Sequence, residues 1–524
     1  MISANYPLYE VEPLGDLREL VNHNAEKYGS DPAFIFERNN EIISVSYQQF
    51  KADIEALGTA FYDMDIKNAK IAVLGENSYE WILTYFTTVN SGNVIVPLDN
   101  QLPVEEVKNL VEHSEASVFI YSESYSDIAE HLKENVASIK HYINMKNLRN
   151  LKERGFTLLV KGVNSVADYK LDQSVLAMLS YTSGTTGKAK GVMLSHSNLT
   201  SEAVAICKNI FFPKKSLLVL PLHHASGFLA FLCMSIYGTS IVINSSMKNL
   251  RSDFLKYEPH ITVFVPLMIE TFYKQLKSIS NANCGKQTTE GYASQLFGEN
   301  LSVIISGGAP LDKQLVEGFR TFGIEVINAY GLTECSGIIS TGRNDYNRAG
   351  SCGQIVPCAE VKVSNPDKNG HGEIWTRGKH VMLGYYKNEQ ASKEVFVDEW
   401  LKTGDIGYVD ADGFLYVTGR AKNMILLSNG KNVYPEEVEM VIQHNLTYVK
   451  EVVVYADDNE IVAEMFLDIV NHPECLSGLN HDIGELNRSL PPFKNISRIV
   501  VRETEFPKTT TRKIKRWGDF NNAK

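Results

Sequence analysis

The sequence predicts an α/β protein with a large N-terminal domain of two mostly parallel sheets with helices plus a small β-rich subdomain, and a small α+β C-terminal domain. Residues 71–97 combine an apolar strand pattern, helical periodicity around Trp81 and a second apolar strand pattern. That order is typical of a βαβ unit. From about residue 350 the pattern changes to short strands separated by Asp-Gly and other glycine-rich turns, which indicates the β-rich subdomain.

The alternation of strand and helix patterns continues up to residue 334. It returns in residues 116–123, 217–222, 261–276 and 301–334. Strand, turn and helix in alternation favour parallel sheets covered by helices. The most apolar run, residues 227–243, is short and is interrupted by serine, threonine and glycine. We therefore expect a buried helix followed by a strand there, and no integral membrane segment.

The end of the chain has the pattern of a separate unit. After Arg420 it contains two strand-like runs, "VKEVVVYAD" and "EIVAEMFLD", a helical pattern in "PEEVEMVIQHNL" and a basic end. We place the N-terminal domain at residues 1–419, with its β-rich subdomain at about 345–419, and the C-terminal domain at 420–524. The predicted boundary lies in "GRAKNM".

Composition excludes several classes of protein. The 524 residues are 44% hydrophobic and 22% charged, and 62 acidic against 51 basic residues give a formal net charge of −11. This charge argues against a nucleic-acid partner and against adsorption to an anionic membrane. The first residues lack a basic segment followed by an apolar core, and the seven cysteines show neither paired spacing nor a CxxC motif. We therefore expect a cytoplasmic protein with reduced thiols.

The stretch "YTSGTTGKAKGV", residues 181–192, has the composition of a phosphate-binding loop. A Walker loop requires GxxxxGK[ST], but Ala189 follows Lys188, and Thr182 stands five positions before Gly187. The Walker spacing fails, so kinases and Walker ATPases are excluded. A mobile, donor-rich lid over a polyphosphate remains, because its strand-like flanks argue against a solvated linker.

Further motifs follow this loop in order. They are "PLHHASG", "ISGGAPL", "NAYGLTECSG", "WLKTGDIG", "TGRAKN", "SNGKNVYPEEVE" and "PKTTTRKIKR". The set resembles the signature of the adenylate-forming superfamily, which contains acyl-CoA synthetases, adenylation domains of nonribosomal peptide synthesis and firefly-type luciferases. The resemblance extends from about residue 45 to 516.

The resemblance implies an ATP site and names its residues. It assigns cofactor binding to Thr182, Ser183, Gly184, Thr185, Thr186, Gly187, Lys188, Lys190, Gly307, Gly308, Ala309, Tyr330, Gly331, Asp405, Arg420, Lys422 and Gly430. The loop would close over the β- and γ-phosphates, and the backbone at 307–309 and the Tyr330 ring would contact adenine. Asp405 would bind the ribose hydroxyls, and Arg420 would reach the ribose and phosphates.

The same resemblance implies four catalytic residues, Lys513, Glu334, Thr333 and His224. Glu334 would hold Mg²⁺, which suits a carboxylate oxygen, and Thr333 would contact the α-phosphate. His224 would lie beside the substrate carboxylate, with His223 in a position that is aromatic in the family. Lys513 would be the adenylation lysine, although Arg512 replaces the usual glycine. Each of these residues, taken alone, also has a structural interpretation. Thr333 and Glu334 could cap a helix, His224 could be a structural histidine, and Lys513 could belong to a solvated basic tail.

The second half-reaction is also implied. Lys422 falls at the family's hinge residue, about which the C-terminal domain would swing between two catalytic poses. Gly430 and Tyr434 would line the tunnel for the pantetheine arm of CoA. Asn429 stands where many members have glycine.

The function implied is an acid–thiol ligase that uses ATP, Mg²⁺ and CoA. Acetate-type members carry tryptophan where this chain has Gly331, so we expect a medium- or long-chain fatty acid. A freestanding adenylation enzyme that loads a separate carrier protein is the alternative. A non-catalytic nucleotide-binding scaffold is disfavoured, because Glu334, Asp405, Arg420 and Lys513 are retained together.

Overall fold

A computed structural model of the chain describes residues 6–182, 189–244, 246–282, 289–427, 431–457, 460–509 and 513–516. The fold is α/β, with a large N-terminal domain of parallel and mixed sheets and a smaller C-terminal domain. The α-helices of the described residues are α1 (Leu17–Tyr28), α2 (Tyr47–Asp63), α3 (Tyr79–Asn90), α4 (Val104–Ser114), α5 (Ser126–Asn135), α6 (Leu148–Val160), α7 (Ser165–Asp168), α8 (His196–Asn209), α9 (Ala225–Ile236), α10 (Leu250–Tyr257), α11 (Pro266–Ala282), α12 (Thr289–Phe297), α13 (Lys313–Arg320), α14 (Glu389–Val395), α15 (Pro435–Asn445) and α16 (Cys475–Ser489).

The strands alternate with these helices through the first part of the chain and then follow one another. They are β1 (Pro32–Arg38), β2 (Glu41–Ser46), β3 (Lys70–Leu74), β4 (Val94–Pro97), β5 (Val118–Tyr121), β6 (His141–Asn144), β7 (Leu176–Thr182), β8 (Lys190–Ser195), β9 (Lys215–Leu218), β10 (Ser240–Ile243), β11 (Ile261–Phe264), β12 (Val303–Ser306), β13 (Glu325–Tyr330), β14 (Ser340–Thr341), β15 (Gln354–Ile355), β16 (Ala359–Ser364), β17 (Gly372–Gly378), β18 (Gly384–Tyr385), β19 (Phe396–Val397), β20 (Trp400–Val409), β21 (Leu415–Arg420), β22 (Ile425–Leu426), β23 (Asn432–Val433), β24 (Val449–Asp457), β25 (Glu460–Leu467) and β26 (Arg498–Arg502).

Two large sheets form the N-terminal domain. One has seven strands in the order β18-β8-β7-β4-β3-β5-β6, and the other has nine in the order β15-β14-β13-β12-β11-β9-β10-β1-β2. Strands β3 to β7 run parallel in the first sheet, and β13, β12, β11, β9, β10 and β1 run parallel in the second. The predicted βαβ unit is confirmed, because β3 and β4 pair in parallel on either side of α3.

The main core lies between these two sheets. Alternate side chains of β3, such as Ile71 and Val73, point into it, and Ala72 and Leu74 belong to a separate cluster on the opposite face. This division follows from the two-residue repeat of a strand. Helices α3 and α9 meet inside the core, where the rings of Tyr85 and Phe228 are 3.9 Å apart. Helix α9 and strand β10 fill residues 227–243 as predicted.

The later strands form smaller sheets. The predicted β-rich region contains an antiparallel five-stranded sheet in the order β16-β17-β20-β19, with β21 paired to β20. The C-terminal domain has a three-stranded sheet, β24-β25-β26, packed on α15 and α16 over a core of its own. Among the helices described above, none is both long and apolar enough to cross a membrane. The six described cysteines are free.

Candidate active site

The glycine-rich stretch is flanked by two paired strands. These are β7 and β8, which are antiparallel, with Thr182 opposite Lys190. The Thr182 hydroxyl is 3.5 Å from the Lys190 carbonyl oxygen. Six residues predicted to bind phosphate lie outside the described residues: Ser183, Gly184, Thr185, Thr186, Gly187 and Lys188. The predicted strand-like flanks are confirmed.

Asp405 is the centre of a buried polar cluster. The Tyr330 hydroxyl donates to its Oδ2 at 2.6 Å, and Arg420 Nε lies 2.8 Å from its Oδ1. Asp405 and Arg420 are direct partners across the β20–β21 hairpin, so their separation of 15 positions in the chain becomes a face-to-face pair. The Asp405 backbone N–H donates to the Thr403 hydroxyl at 3.0 Å.

The surroundings of Asp405 affect the pKa of its carboxyl group in two opposite directions. Burial raises the pKa of this carboxyl group, and Arg420 and the Tyr330 hydroxyl act in the opposite direction. Burial, together with the neighbouring Asp405, raises the pKa of Tyr330 well above its usual range, so the phenol stays protonated and donates. The cluster therefore presents a carboxylate whose two oxygens are fixed in direction.

Glu334 lies on a single 3₁₀ turn, Thr333–Cys335, that directly follows β13. The Tyr385 hydroxyl donates to Oε1 of Glu334 at 2.8 Å. The backbone carbonyl oxygen of Glu334 accepts from the Met382 N–H at 2.9 Å. No second described side chain donates to this carboxylate. A half-exposed carboxylate with one free oxygen is a donor set that fits Mg²⁺.

Tyr385 also connects this turn to the β7–β8 pair. Strand β18 pairs with β8, with Tyr385 opposite Val192. The Lys190 ammonium lies 4.8 Å from the centre of the Tyr385 ring, a distance that gives a cation–π contact. One tyrosine therefore contacts both a lysine at the base of the glycine-rich loop and the Glu334 carboxylate.

Glu202, a buried residue on α8, contacts the segment that follows the Thr333–Cys335 turn. Glu202 Oε1 accepts from the Ile338 N–H at 3.0 Å, and its Oε2 lies 3.1 Å from Cys358 Sγ. Burial raises the pKa of Glu202 to about 8, so the group is mostly protonated at neutral pH. The Ser336 hydroxyl donates to the His380 carbonyl oxygen at 2.8 Å and ties the same loop to the β-rich region.

The two predicted adenine-side turns follow neighbouring strands. Gly307, Gly308 and Ala309 come directly after β12, and Gly308 has φ +85°, which favours glycine. Gly331 follows β13, and a Cβ atom there would lie 2.2 Å from the Gly337 carbonyl oxygen. Any side chain at Gly331 would therefore displace backbone. Both turns lie at carboxyl ends of parallel strands, where open α/β sheets bind ligands.

His224 lies at the start of α9 beside two other groups. Its ring is 4.2 Å from the His223 ring, and His223 Nε2 is 3.3 Å from Asp99 Oδ1. Burial lowers the pKa of His224 to about 4, and His223 and Lys513 add to the shift. His224 is therefore neutral at physiological pH.

Lys513 reaches this region from the C-terminal domain. Its carbonyl oxygen accepts from the Thr509 N–H at 2.9 Å. Its side chain remains accessible to solvent, but partial loss of hydration lowers the pKa of the ammonium group. The neighbouring Arg420 lowers this pKa further, and Asp405 opposes the shift. Lys513 thus lies close enough to interact with Asp405, Arg420 and His224.

The two domains contact each other elsewhere through His444. Its Nδ1 is 3.0 Å from Asp312 Oδ2, and its Nε2 is 2.8 Å from Gln314 Nε2. Lys422 is exposed on a 3₁₀ turn, Ala421–Asn423, between β21 and β22. Gly430 lies outside the described residues, and Tyr434 is buried just before α15.

Sequence reasoning missed Tyr385, Asp99 and Glu202. Tyr385 lies in "VMLGYY", where the only available signal was a tyrosine pair after a glycine. Asp99 follows the apolar strand at 94–97, so a carboxylate directly after a parallel strand was a usable signal. Glu202 lies within a buried helix, and nothing in its local pattern distinguishes it from a solvated glutamate.

Comparison with known proteins identifies the family of this chain. A family model described as AMP-binding enzyme matches residues 21–386, and one described as AMP-binding enzyme C-terminal domain matches residues 422–518. The long-chain-fatty-acid–CoA ligase FadD15 of Mycobacterium bovis is 26% identical, over 85% of this chain and 85% of that protein. The 2-succinylbenzoate–CoA ligase of Bacillus licheniformis is 31% identical, over 71% of this chain and 73% of that protein.

A solved structure extends the similarity to the whole fold. The O-succinylbenzoate coenzyme A synthetase MenE from Bacillus subtilis, in complex with ATP and magnesium ion, superposes with a TM-score of 0.77 at 26% identity. The match covers 95% of this chain and 98% of that one. Because the first family model spans well over half of the sequence and these relatives are acyl-CoA ligases, the chain belongs to the AMP-binding enzyme family, in its acyl-CoA synthetase branch.

Proposed function

We propose that this protein joins ATP and a carboxylic acid to form an acyl-adenylate and pyrophosphate, and then transfers the acyl group to the thiol of CoA. The observation that supports this most strongly is the position of Lys513. The C-terminal domain brings this cation to the Asp405–Arg420 pair and to His224. His224 follows the parallel strand β9, and Tyr330, which donates to Asp405, ends the parallel strand β13. A lysine between them is placed to meet both an acid and a nucleotide.

The first half-reaction joins two anions, so charge neutralisation and positioning supply most of its rate. In our proposal Asp405 accepts the ribose hydroxyls, and the Tyr330 ring covers adenine. Lys513 bridges the acid carboxylate and the α-phosphate as the new P–O bond forms and pyrophosphate leaves. Thr333 donates to the α-phosphate, and no covalent bond to the protein is needed.

The leaving pyrophosphate would be held by the glycine-rich loop. Lys190, at the base of that loop, faces Tyr385 and through it Glu334. Mg²⁺, when bound to Glu334, supplies charge neutralisation for the phosphates. Tyr385 keeps the Glu334 carboxylate oriented, and Lys190 adds positive charge on the same side.

For the second half-reaction we propose that the C-terminal domain rotates about Lys422, while Arg420 stays opposite Asp405 in the β20–β21 hairpin. Two observations support a pivot there. Lys422 is exposed in a short turn between β21, which belongs to the five-stranded sheet, and β22, which pairs with β23 in a separate sheet. His444, which contacts Asp312 and Gln314, is also exposed. Rotation would withdraw Lys513 and bring the segment of Gly430 and Tyr434 to the pantetheine arm. The thiol then attacks the acyl carbonyl carbon and expels AMP.

We propose a medium- or long-chain fatty acid as the substrate. The absence at Gly331 of the tryptophan that acetate-type members carry supports this choice, and the Gly337 backbone keeps the position free of any side chain. The similarity to FadD15, named a long-chain-fatty-acid–CoA ligase, points the same way. An aromatic dicarboxylic acid is the second candidate, because the relative at 31% identity is named 2-succinylbenzoate–CoA ligase.

One assay separates these possibilities. Acid-dependent exchange of pyrophosphate into ATP is measured with saturated acids of increasing length, 2-succinylbenzoate, aromatic acids and amino acids. We expect exchange with medium or long saturated acids and thioester formation when CoA is added. Exchange with 2-succinylbenzoate alone would show that the acid substrate is an aromatic dicarboxylic acid and not a fatty acid. Preferential transfer to a phosphopantetheinylated carrier would show that the acceptor is a carrier protein and not CoA. No exchange with any acid would contradict the proposed function.

A further inference from the structure

We propose that Asp99, His223 and His224 form a binding site for a divalent transition-metal ion of the Zn²⁺ class, and that such an ion inhibits the first half-reaction. The binding site stands on geometry alone, and the inhibition rests on the proposed function. His223 is the distinctive member of the set, because it stands in the position that is aromatic in the family. The ion would lie apart from the carboxylate of Glu334.

The three side chains come from the two large sheets. Asp99 follows β4 in the seven-stranded sheet, whereas His223 and His224 follow β9 in the nine-stranded sheet. The side chain of Asn77, which follows β3 of the seven-stranded sheet, holds the segment before His223 in place. It donates to the Leu220 carbonyl oxygen at 2.8 Å and accepts from the Leu222 N–H at 2.9 Å. The donor atoms therefore meet at a junction that is fixed on both sides.

The distances fit a four-coordinate ion. Zn²⁺ bonds to imidazole nitrogen and carboxylate oxygen at about 2.0–2.2 Å, so adjacent ligands of a tetrahedron stand about 3.3–3.5 Å apart. His223 Nε2 and Asp99 Oδ1 are 3.3 Å apart, and one donor atom from each of the three residues lies within 4.8 Å of the others. A small rotation of the His224 ring would complete three ligands and leave a fourth position open.

The unsatisfied atom in the contact between His223 and Asp99 is Nε2 of His223, because Asp99 Oδ1 already accepts the Gln101 N–H at 2.9 Å. Nε2 of His223 is buried and makes no hydrogen bond of acceptable angle with any described residue, even though the carboxylate is 3.3 Å away. A cation would satisfy the lone pair of this nitrogen, and a carboxylate oxygen that accepts one N–H can still bind a metal ion. Two imidazoles and one carboxylate suit Zn²⁺, Co²⁺ or Ni²⁺, whereas Mg²⁺ prefers oxygen ligands throughout.

A second cluster of donor atoms in the described residues fits an ion less well. Glu202, Cys358 and His380 also come within 4.8 Å of one another. There, however, both oxygens of Glu202 are engaged, Oε1 by the Ile338 N–H and Oε2 by Cys358 Sγ. His380 and Glu202 are fully buried, whereas Asp99 and His224 are partly exposed, so an ion has a path only to the first cluster.

An ion at the first cluster would act on the reaction in two ways. It would hold the His224 ring, which the proposed function places beside the acid carboxylate. It would also repel Lys513, whose ammonium group is close enough to His224 to interact with it. Both effects oppose acyl-adenylate formation and leave nucleotide contacts at Asp405 in place.

Binding is tested with Co²⁺ on the full chain, without ATP or acid. We expect one equivalent of Co²⁺ to produce the intense visible absorption of a four-coordinate site and Zn²⁺ to displace it. His223→Phe removes a ligand and places an aromatic ring there, and Asp99→Asn keeps the shape of the side chain. Each should weaken binding by at least about tenfold, as loss of an inner or supporting ligand does. His481→Gln, an exposed histidine on α16, serves as the matched control.

Inhibition is measured separately, as pyrophosphate exchange with excess Mg²⁺ and increasing Zn²⁺. The half-inhibitory Zn²⁺ concentration should rise about tenfold in His223→Phe and Asp99→Asn, each compared with its own metal-free rate. Absence of the Co²⁺ band in the wild-type protein, or an unchanged band in both variants, would overturn the site. If the band behaves as expected but no acid supports exchange, the proposed function fails and the metal site stands.

Discussion

The hydroxyl group of Tyr385 donates a hydrogen bond to Oε1 of Glu334 at 2.8 Å, and the two residues are 51 positions apart in the chain. The ring of the same tyrosine faces the Lys190 ammonium at 4.8 Å. Strand β18 makes this arrangement possible, because it pairs with β8 at the base of the glycine-rich loop. One side chain therefore links the loop that is proposed to bind pyrophosphate to the carboxylate that is proposed to bind Mg²⁺.

Replacing Tyr385 with phenylalanine should raise the Mg²⁺ concentration required for half-maximal pyrophosphate exchange by about tenfold, because supporting hydrogen bonds orient metal ligands. The ring remains, so the contact with Lys190 and the melting temperature should change little. The shift in melting temperature produced by Mg²⁺ and ATP gives a second readout. Tyr386→Phe is the control, because the Tyr386 hydroxyl contacts Glu115 and Lys70. Equal effects in both variants would contradict the linking role of Tyr385.

Replacing Lys513 with alanine should reduce acyl-adenylate formation by at least about a hundredfold, which is the usual loss when one charge-stabilising donor is removed. Thioester formation from supplied acyl-adenylate and CoA should remain largely intact, since the lysine is proposed to be withdrawn in that step. Lys515→Ala changes an exposed lysine two positions later and should affect neither half-reaction. Equal loss of both half-reactions in Lys513→Ala would refute the two-pose assignment.

Neutralising Lys190 by substitution with glutamine should lower the ATP half-reaction by about tenfold and harm thioester formation less, because a phosphate contact supported by positive charge is lost. Lys190→Arg keeps the charge and the cation–π contact with Tyr385, so it should recover most of the rate. The same prediction holds for Lys188, which lies outside the described residues. A larger loss in the CoA step than in the ATP step would argue against a pyrophosphate lid.

Buried neutral histidines should make the fold sensitive to acid. Burial lowers the pKa of both His196 and His380 to about 4, from an ordinary value of 6.5. Between these values the unfolded chain binds protons that the folded chain does not, so the free energy of unfolding falls as pH falls from 6.5 to 4. At pH 5 the loss is about 2 kcal/mol for each histidine.

The measurement is the melting temperature of the wild-type protein and of His380→Asn at pH 7 and pH 5. The wild-type melting temperature should drop at pH 5, and the drop should be smaller in the variant because one buried titrating group has been removed. The two proteins must be compared by their change with pH, because the substitution also removes the contact between His380 Nε2 and the Thr376 hydroxyl. An identical change in both proteins would show that His380 does not titrate as described.

Local patterns in the sequence were sufficient for much of the fold. The strand predicted at residues 94–97 is β4, and the helix predicted around Trp81 is α3. Apolar periodicity determines such elements, because a strand or helix must bury one set of side chains whatever its neighbours are. The position of Asp405 opposite Arg420 follows similarly from two strands joined by an Asp-Gly turn.

The tertiary structure alone decided which distant side chains meet. Tyr330 lies 75 positions from Asp405, and Glu202 lies 156 positions from Cys358. His223 and Asp99 belong to segments that end strands of different sheets. Local sequence determines where a strand ends, but the order of strands within a sheet and the packing of one sheet on another determine which ends lie together. The contacts of Glu334 with Tyr385, of Asp405 with Tyr330 and of His224 with Asp99 and Lys513 therefore depend on the packing of the sheets and of the C-terminal domain.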